Sequence, residues 1–224
     1  MNSAEKESLF QLLRDQSHTR GSSIATLSAL SAYRTALGRL TSNTETFPKL
    51  FNEINELILQ TEPRIIPLIH LVEQLQVRVQ PYLKLPFEEL KKMTLKNIDD
   101  LIALFENQIE SVIQKGVEVI CQGDFIITHS PSFEVEGILR KAYTDQNLTF
   151  RVLVVEQDFV RIRNLIKNLD QIGIDHIVIP EYSLSHYMGR VNKLFLGAIS
   201  VTNDRKVITT AGSANIASLC RHHR

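Results

Sequence analysis

Tryptophan is absent from the 224-residue chain, cysteine occurs twice, and neither sign of charge is in excess, with 25 Lys+Arg against 25 Asp+Glu. Each shortage removes a class of protein. Cys121 and Cys220 lie too far apart in sequence to form a metal or redox pair, and so sparse a use of thiols fits a reducing compartment. A neutral chain does not coat nucleic acid electrostatically, and up to Lys115 it holds 13 basic and 14 acidic residues against 12 and 11 afterwards, so no basic half is hidden by an acidic one. Strong direct nucleic-acid binding is therefore not expected. No apolar run approaches the roughly 18–20 residues of a membrane span. The opening M-N-S-A-E-K-E-S lacks the basic-then-apolar order of a signal peptide, so the expected location is the cytoplasm, away from membranes. What remains is an ordinary globular composition, 43% hydrophobic and 22% charged, in a chain long enough to bury a sizeable core.

Glycine divides the chain where charge does not. Only Gly21 and Gly38 of the nine precede Gly116. The glycine-poor part reads as helices: Leu9, Leu12, Leu13, then Ile24, Leu27, Leu30, Ala32 and Leu37 recur at spacings of three and four. Thr19-Arg20-Gly21-Ser22-Ser23 interrupts them as a turn followed by a serine-capped helix start. Pro48 and Pro67 mark two further helix starts, since proline suits the first turn, where its missing N–H costs nothing. From about Asn97, Ile98, Leu101, Ile102, Phe105, Ile109, Val112 and Ile113 predict a long helix joining two halves and reaching toward Ile120.

After Asp124 the period changes. Residues 125–128, 151–155, 176–179 and 194–198 are short apolar runs of the kind buried on both faces of a parallel sheet. Helical patterns at Phe133–Tyr143, Phe159–Leu169 and Leu184–Val191 separate them. The expectation is a helical domain over residues 1–115 and a Rossmann-like α/β domain with a doubly wound parallel sheet over 116–224. Such sheets bind ligands at the carboxyl ends of their strands. Those ends are Thr128-His129-Ser130, Glu156-Gln157-Asp158, Pro180-Glu181-Tyr182-Ser183 and Gly197-Ala198-Ile199-Ser200.

Standard cofactor fingerprints are missing. There is no G-x-G-x-x-G after a strand and no G-x-x-x-x-G-K-[ST], and zinc-type spacings do not occur. No cofactor and no metal is expected. Three turns instead suit an anion: Arg20-Gly21-Ser22, Thr128-His129-Ser130 and Gly212-Ser213 each put small or hydroxyl residues at a helix start. The plain alternative is helix capping at the last two, by Ser130 or Ser132 for instance, and a surface arginine near a turn at the first. His129 is a possible general base, although a histidine at a strand end is more often structural.

These same residues carry a resemblance. Gly123-Asp124-Phe125-Ile126-Ile127-Thr128-His129-Ser130 is similar to a G-x-x-I-L-T-H-[CSA] strand and turn, Arg151 to Glu156 to a V-x-V-x-E strand, and Leu165 to Ile174 to an L-x-x-x-G-I helix and turn. Met188 to Ala198, with Gly212-Ser213 beyond, looks like M-x-x-V-D-x-V-x-x-G-A-[DE] followed by N-K-I-G-T, and Arg20-Gly21 resembles an R-G-A phosphate loop. In this order, from about Thr19 onward, the motifs resemble the alpha, beta and delta subunits of translation initiation factor 2B, a superfamily shared with methylthioribose-1-phosphate and ribose-1,5-bisphosphate isomerases. The resemblance implies a sugar-phosphate or nucleotide site, and dimers formed through C-terminal domains, either homodimers or pairs with a paralogous subunit.

Departures from the pattern bear on catalysis. The isomerases of that superfamily use a cysteine after the first strand and an aspartate after G-A as their acid/base pair, and those positions match Ser130 and Ile199 here. Isoleucine exchanges no proton, and a serine hydroxyl is a far weaker acid than a thiol. The arginine of an E-[ST]-R-P turn is replaced near Asp158, and the Asn-Lys before the final Gly-Thr by Thr210-Ala211. The expected protein has no catalytic residues and binds a phosphorylated small molecule through Arg20, Gly21, Ser22, Thr128, His129, Ser130, Glu156, Gly197, Gly212 and Ser213. The alternative is an aldose–ketose isomerase with a rearranged acid/base set, using His129 or Glu156.

Overall fold

The computed structural model describes residues 3–40, 46–62, 64–156 and 159–223. The chain divides into two compact units, Met1–Gln108 and Ile109–Arg224. The first holds α1 (Ser3–Arg20), α2 (Ser22–Gly38), α3 (Thr46–Leu59), α4 (Ile66–Val79) and most of α5 (Phe87–Val117), with a 3₁₀ turn at Gln80–Tyr82. The expected junction at residue 115 lies about two turns further along α5 than this division.

The periodic apolar positions of the first unit become its core. Leu30, Leu37, Phe47, Leu68, Leu75, Leu90, Ile98 and Leu101 are fully buried together. Gly21 separates α1 from α2 at φ +86°, a conformation that a Cβ disfavours, and this glycine rather than a serine is the N-cap of α2. Pro67 stands in the first turn of α4, as its missing N–H predicts, whereas α3 already begins at Thr46, before Pro48. One polar knot sits in this core: the Tyr33 hydroxyl donates to Asn55 Oδ1 at 2.8 Å, and burial pushes its phenol well above the ordinary tyrosine range.

The second unit is built on a four-stranded parallel sheet: β1 (Phe125–His129), β2 (Arg151–Val155), β3 (Asp175–Ile179) and β4 (Lys193–Leu196), in the order β3-β2-β1-β4. β1 lies centrally, pairing Ile126 with Val152 on one side and with Lys193 on the other, and all five of its residues are buried. Between the strands run α6 (Phe133–Thr144) and α7 (Phe159–Ile172). Phe125, Ile127, Leu153, Val155 and Ile179 pack with Leu184, Met188 and Ile216, the last on α8 (Ser213–His222). Elsewhere in this unit α5 and α6 interlock. A Cβ on Gly116 would lie 2.2 Å from Ile138 Cδ1, and one on Gly137 would lie 2.6 Å from Ile113 Cδ1, so each helix offers a glycine notch to an isoleucine of the other.

Three local expectations change. α5 starts at Phe87, ten residues before Asn97, because Leu90 and Thr94 continue its buried stripe. The segment expected as a helix over Leu184–Val191 is a 3₁₀ turn, Glu181–His186, closed by i+3 bonds such as Ser183 N–H to the Pro180 carbonyl. It is too short, between Pro180 and Gly189, to nucleate an α-helix. The fourth strand stops at Leu196, and residues beyond it form a small hairpin, β5 (Ser200–Val201) with β6 (Val207–Ile208), that no period-2 run of useful length announces. Among the described residues no helix is long and apolar enough to cross a membrane.

Candidate functional site

At the carboxyl end of β1 the chain must leave the sheet and enter α6 within a few residues. Ser130 makes that turn at φ +55°, a left-handed conformation rarely taken by serine. Gly197, just past β4, makes it possible: its N–H donates to the Ser130 carbonyl at 3.0 Å, and a Cβ there would stand 2.3 Å from that same oxygen. Ser132, not Ser130, caps α6, accepting from the Val135 N–H at 3.2 Å. The Ser130 side chain is thereby released from capping.

Its hydroxyl goes to a buried polar cluster instead. Ser130 Oγ lies 3.1 Å from His129 Nδ1 and 3.1 Å from Ser213 Oγ, and it also contacts Thr210 Oγ1. Ser213 Oγ is in turn 3.0 Å from His129 Nδ1 and 3.4 Å from Thr210 Oγ1. His129, Ser130 and Ser213 are almost wholly buried. Each hydroxyl is both donor and acceptor, so the cluster satisfies itself in more than one proton arrangement. Burial holds the His129 imidazole below the usual histidine range, partly opposed by the charge of Glu181, so the ring is a neutral base near pH 7.

Glu181 enters from the turn after β3. A Cβ on Gly212, the N-cap of α8, would lie 3.4 Å from Glu181 Oε2 and 3.5 Å from His129 Nε2, so carboxylate and imidazole flank the same bare backbone. One further hydroxyl is buried in β1, on the opposite face of the strand from His129: Thr128 Oγ1 has no hydrogen-bond partner among the described residues, a costly state in a packed sheet.

Of the residues read from sequence, the second unit thus brings together His129, Ser130, Gly197, Gly212 and Ser213, with Thr128 next along β1. Glu156 follows β2, its N–H bonded to the Ile179 carbonyl at 2.9 Å, and it is exposed. Ile199 is 43% exposed at the root of the hairpin. Gln157 and Asp158 lie outside the described residues. Arg20, Gly21 and Ser22 belong to the first unit, where Arg20 is exposed and the other two half-buried. The candidate list left out Glu181 and Thr210, although Glu181 stands two residues past a parallel strand, at the end where such sheets bind ligands.

The Initiation factor 2 subunit family matches residues 18–224. The chain is 27% identical over 137 residues to the translation initiation factor eIF2B subunit delta of Dictyostelium discoideum, covering 61% of this chain and 22% of that one. To the ribose 1,5-bisphosphate isomerase of Pyrococcus furiosus it is 27% identical over 189 residues, covering 82% and 58%. It therefore spans less than two thirds of the curated relatives it matches. The solved tetrameric beta2–delta2 complex of eIF2B from Chaetomium thermophilum shares the fold, with a TM-score of 0.72 at 20% identity over 98% of this chain and 74% of that one. With nearly the whole chain from residue 18 onward matched, and the helical and parallel-sheet units in the same order, the protein belongs to the Initiation factor 2 subunit family.

Proposed function

We propose that this chain is a non-catalytic, cytoplasmic member of its family that binds a sugar phosphate or nucleotide and acts as a regulatory or assembly subunit. One observation carries the reading. The strand end that a proton-transfer enzyme of this family would use holds Ser130, an exposed Ile199 in place of an acid, and hydroxyls that satisfy one another. Such a constellation can recognise hydroxyls and phosphoryl oxygens, while neither an isoleucine nor a neutral serine supplies an acid/base pair. In this reading the ligand-binding candidates of the second unit are Thr128, His129, Ser130, Glu156, Gly197, Gly212 and Ser213, and those of the first unit, taken by themselves, are Arg20, Gly21 and Ser22. A second copy or a paralogous subunit is the protein partner, by analogy with relatives that are themselves named as subunits of one factor.

Calorimetry against pentose phosphates and nucleotides tests the ligand. Saturable binding that Arg20→Ala weakens is expected; silence from every phosphate ester defeats the reading. Native mass spectrometry reports the partner, and a mass of one chain alone at micromolar concentration would count against an assembly role.

A second reading is favoured by one specific juxtaposition. His129 is buried and neutral with the charge of Glu181 acting on it, an arrangement able to move a proton, and the relatives include isomerases. Aldose-to-ketose turnover of a ribose phosphate that vanishes in His129→Ala would install that reading in place of the first.

A further inference from the structure

Within the second unit a groove of about 330 Å³ runs between α6 and α7, lined by Phe133, Glu136 and Arg140 on the first helix and by Asn168, Gln171 and Ile172 on the second. Phe133, Glu136 and Arg140 recur at spacings of three and four, so one helix face carries all three. Asn168 Nδ2 donates to Glu136 Oε1 at 2.5 Å and ties the two helices together across the groove.

The charges of this groove are not settled by the protein itself. Glu136 is half-buried, and burial raises its carboxyl above the usual glutamate range, with the Asn168 bond and the Arg140 charge offsetting this only in part. Arg140 stands one turn further along α6, where helical residues of opposite charge ordinarily pair. Here they do not. Among the described residues neither the exposed Arg140 guanidinium nor the exposed Gln171 amide has a side-chain hydrogen-bond or ion-pair partner.

A lone cation drawn to Glu136 would meet the like charge of Arg140, and a lone anion drawn to Arg140 would meet Glu136. A dipolar molecule satisfies both, through charge-assisted bonds that are each about twice as strong as neutral ones. Size bounds the class further. The groove is at the small end of ligand pockets, and its few residues fall well short of the roughly 20–30 a side of a protein interface.

We propose that the α6–α7 groove binds a free α-amino acid with an apolar side chain: the ammonium goes to Glu136, the carboxylate to Arg140 and the Gln171 amide, and the side chain lies against Phe133 and Ile172. The site shares no residue with the strand-end cluster, so failure of phosphate-ester binding leaves it standing.

Calorimetry on the full chain tests this with L-leucine, with isopentylamine, which lacks the carboxylate, and with 4-methylpentanoate, which lacks the ammonium. Wild type should bind leucine at least about tenfold more tightly than either analogue, since each forfeits a charge-assisted bond. Glu136→Gln, which keeps an oxygen for Asn168, should bring leucine down to the level of 4-methylpentanoate. Arg140→Met, which keeps an apolar stem, should bring it down to that of isopentylamine. Leucine, valine and phenylalanine all failing to saturate wild type up to about 10 mM overturns the site, as does leucine binding that either substitution leaves unchanged. Should Glu136→Gln fail to fold, the exposed position of Arg140 lets Arg140→Met decide.

Discussion

The two ends of the parallel sheet are built on opposite principles. At the amino end, Asp124 is buried and fully committed: it accepts from the Cys121 N–H at 2.6 Å, from Asn192 Nδ2 at 2.9 Å and from Lys193 Nζ at 2.6 Å. Asn192 completes the clamp by accepting from the Phe125 N–H at 3.1 Å and donating its own N–H to the Phe125 carbonyl at 3.0 Å, so β1 and β4 are tied at their starts. At the carboxyl end the groups are exchangeable hydroxyls, a neutral imidazole, a serine at φ +55° and a threonine hydroxyl with no partner among the described residues. Fixed charges held by several partners at once make a strong, single-purpose joint. Groups that can reverse donor and acceptor leave room for a ligand to replace them.

Breaking the amino end should have the largest effect on stability. Asp124→Ala leaves Lys193 and two N–H donors without their acceptor, and we predict a loss of about 3 kcal/mol in urea unfolding, with ligand affinity kept. The pH dependence follows from the same contacts. Burial alone would raise the Asp124 carboxyl, but hydrogen bonds from Lys193, Cys121 and Asn192, with the Lys193 charge, hold it below the usual carboxylate range. Its stabilisation is therefore complete above the unfolded value of about 3.9 and is lost as pH falls through the lower folded value. Unfolding curves from pH 6 to pH 2 should show this loss in wild type and lack it in Asp124→Asn.

Next in size is the joint between β4 and the Ser130 turn. Gly197→Ala drives a methyl against a backbone oxygen, and about 2 kcal/mol of stability should go together with ligand binding. A variant that kept both would show that Gly197 does not support the turn. Comparing Ser130→Gly with Ser130→Ala sharpens the point, because both lose the hydroxyl and only glycine is at ease at φ +55°. Thermal unfolding should favour the glycine variant by about 1 kcal/mol. The smallest effect should have the opposite sign: Thr128→Val removes an unpaired buried hydroxyl at nearly constant volume and should stabilise the protein by roughly 0.5–1 kcal/mol.

The amino end, for all its importance to stability, was nearly silent in the sequence. Asp124 and Lys193 are far apart in the chain, and only the pairing of β1 with β4 brings them together. The carboxyl end was more legible. His129 and Ser130 follow an apolar run that reads as a strand and Gly197 stands near the end of another, and strand ends of a parallel sheet are where ligands sit. Gly212 and Ser213 were visible as a helix start. Glu181 was named only as part of a strand end, because its place beside Gly212 is made by the turn after β3, which no sequence period announces, and the residue itself stays exposed. Helices with long apolar stripes were legible for the reason that their period repeats many times, whereas β5 and β6, two residues each, offer no period at all.

The paired notches of α5 and α6 have a kinetic meaning as well. Gly116 with Ile138, and Gly137 with Ile113, join segments close in sequence, so this contact closes only a short loop around β1. The segment from α5 through β1 to α6 can then condense before β4, some fifty residues beyond α6, arrives to complete the sheet. Gly137→Ala, which fills one notch, should accordingly slow refolding more than it speeds unfolding, and a chevron in which only the unfolding arm moves would assign the nucleus to another part of the chain. The order of assembly would then run outward from a glycine.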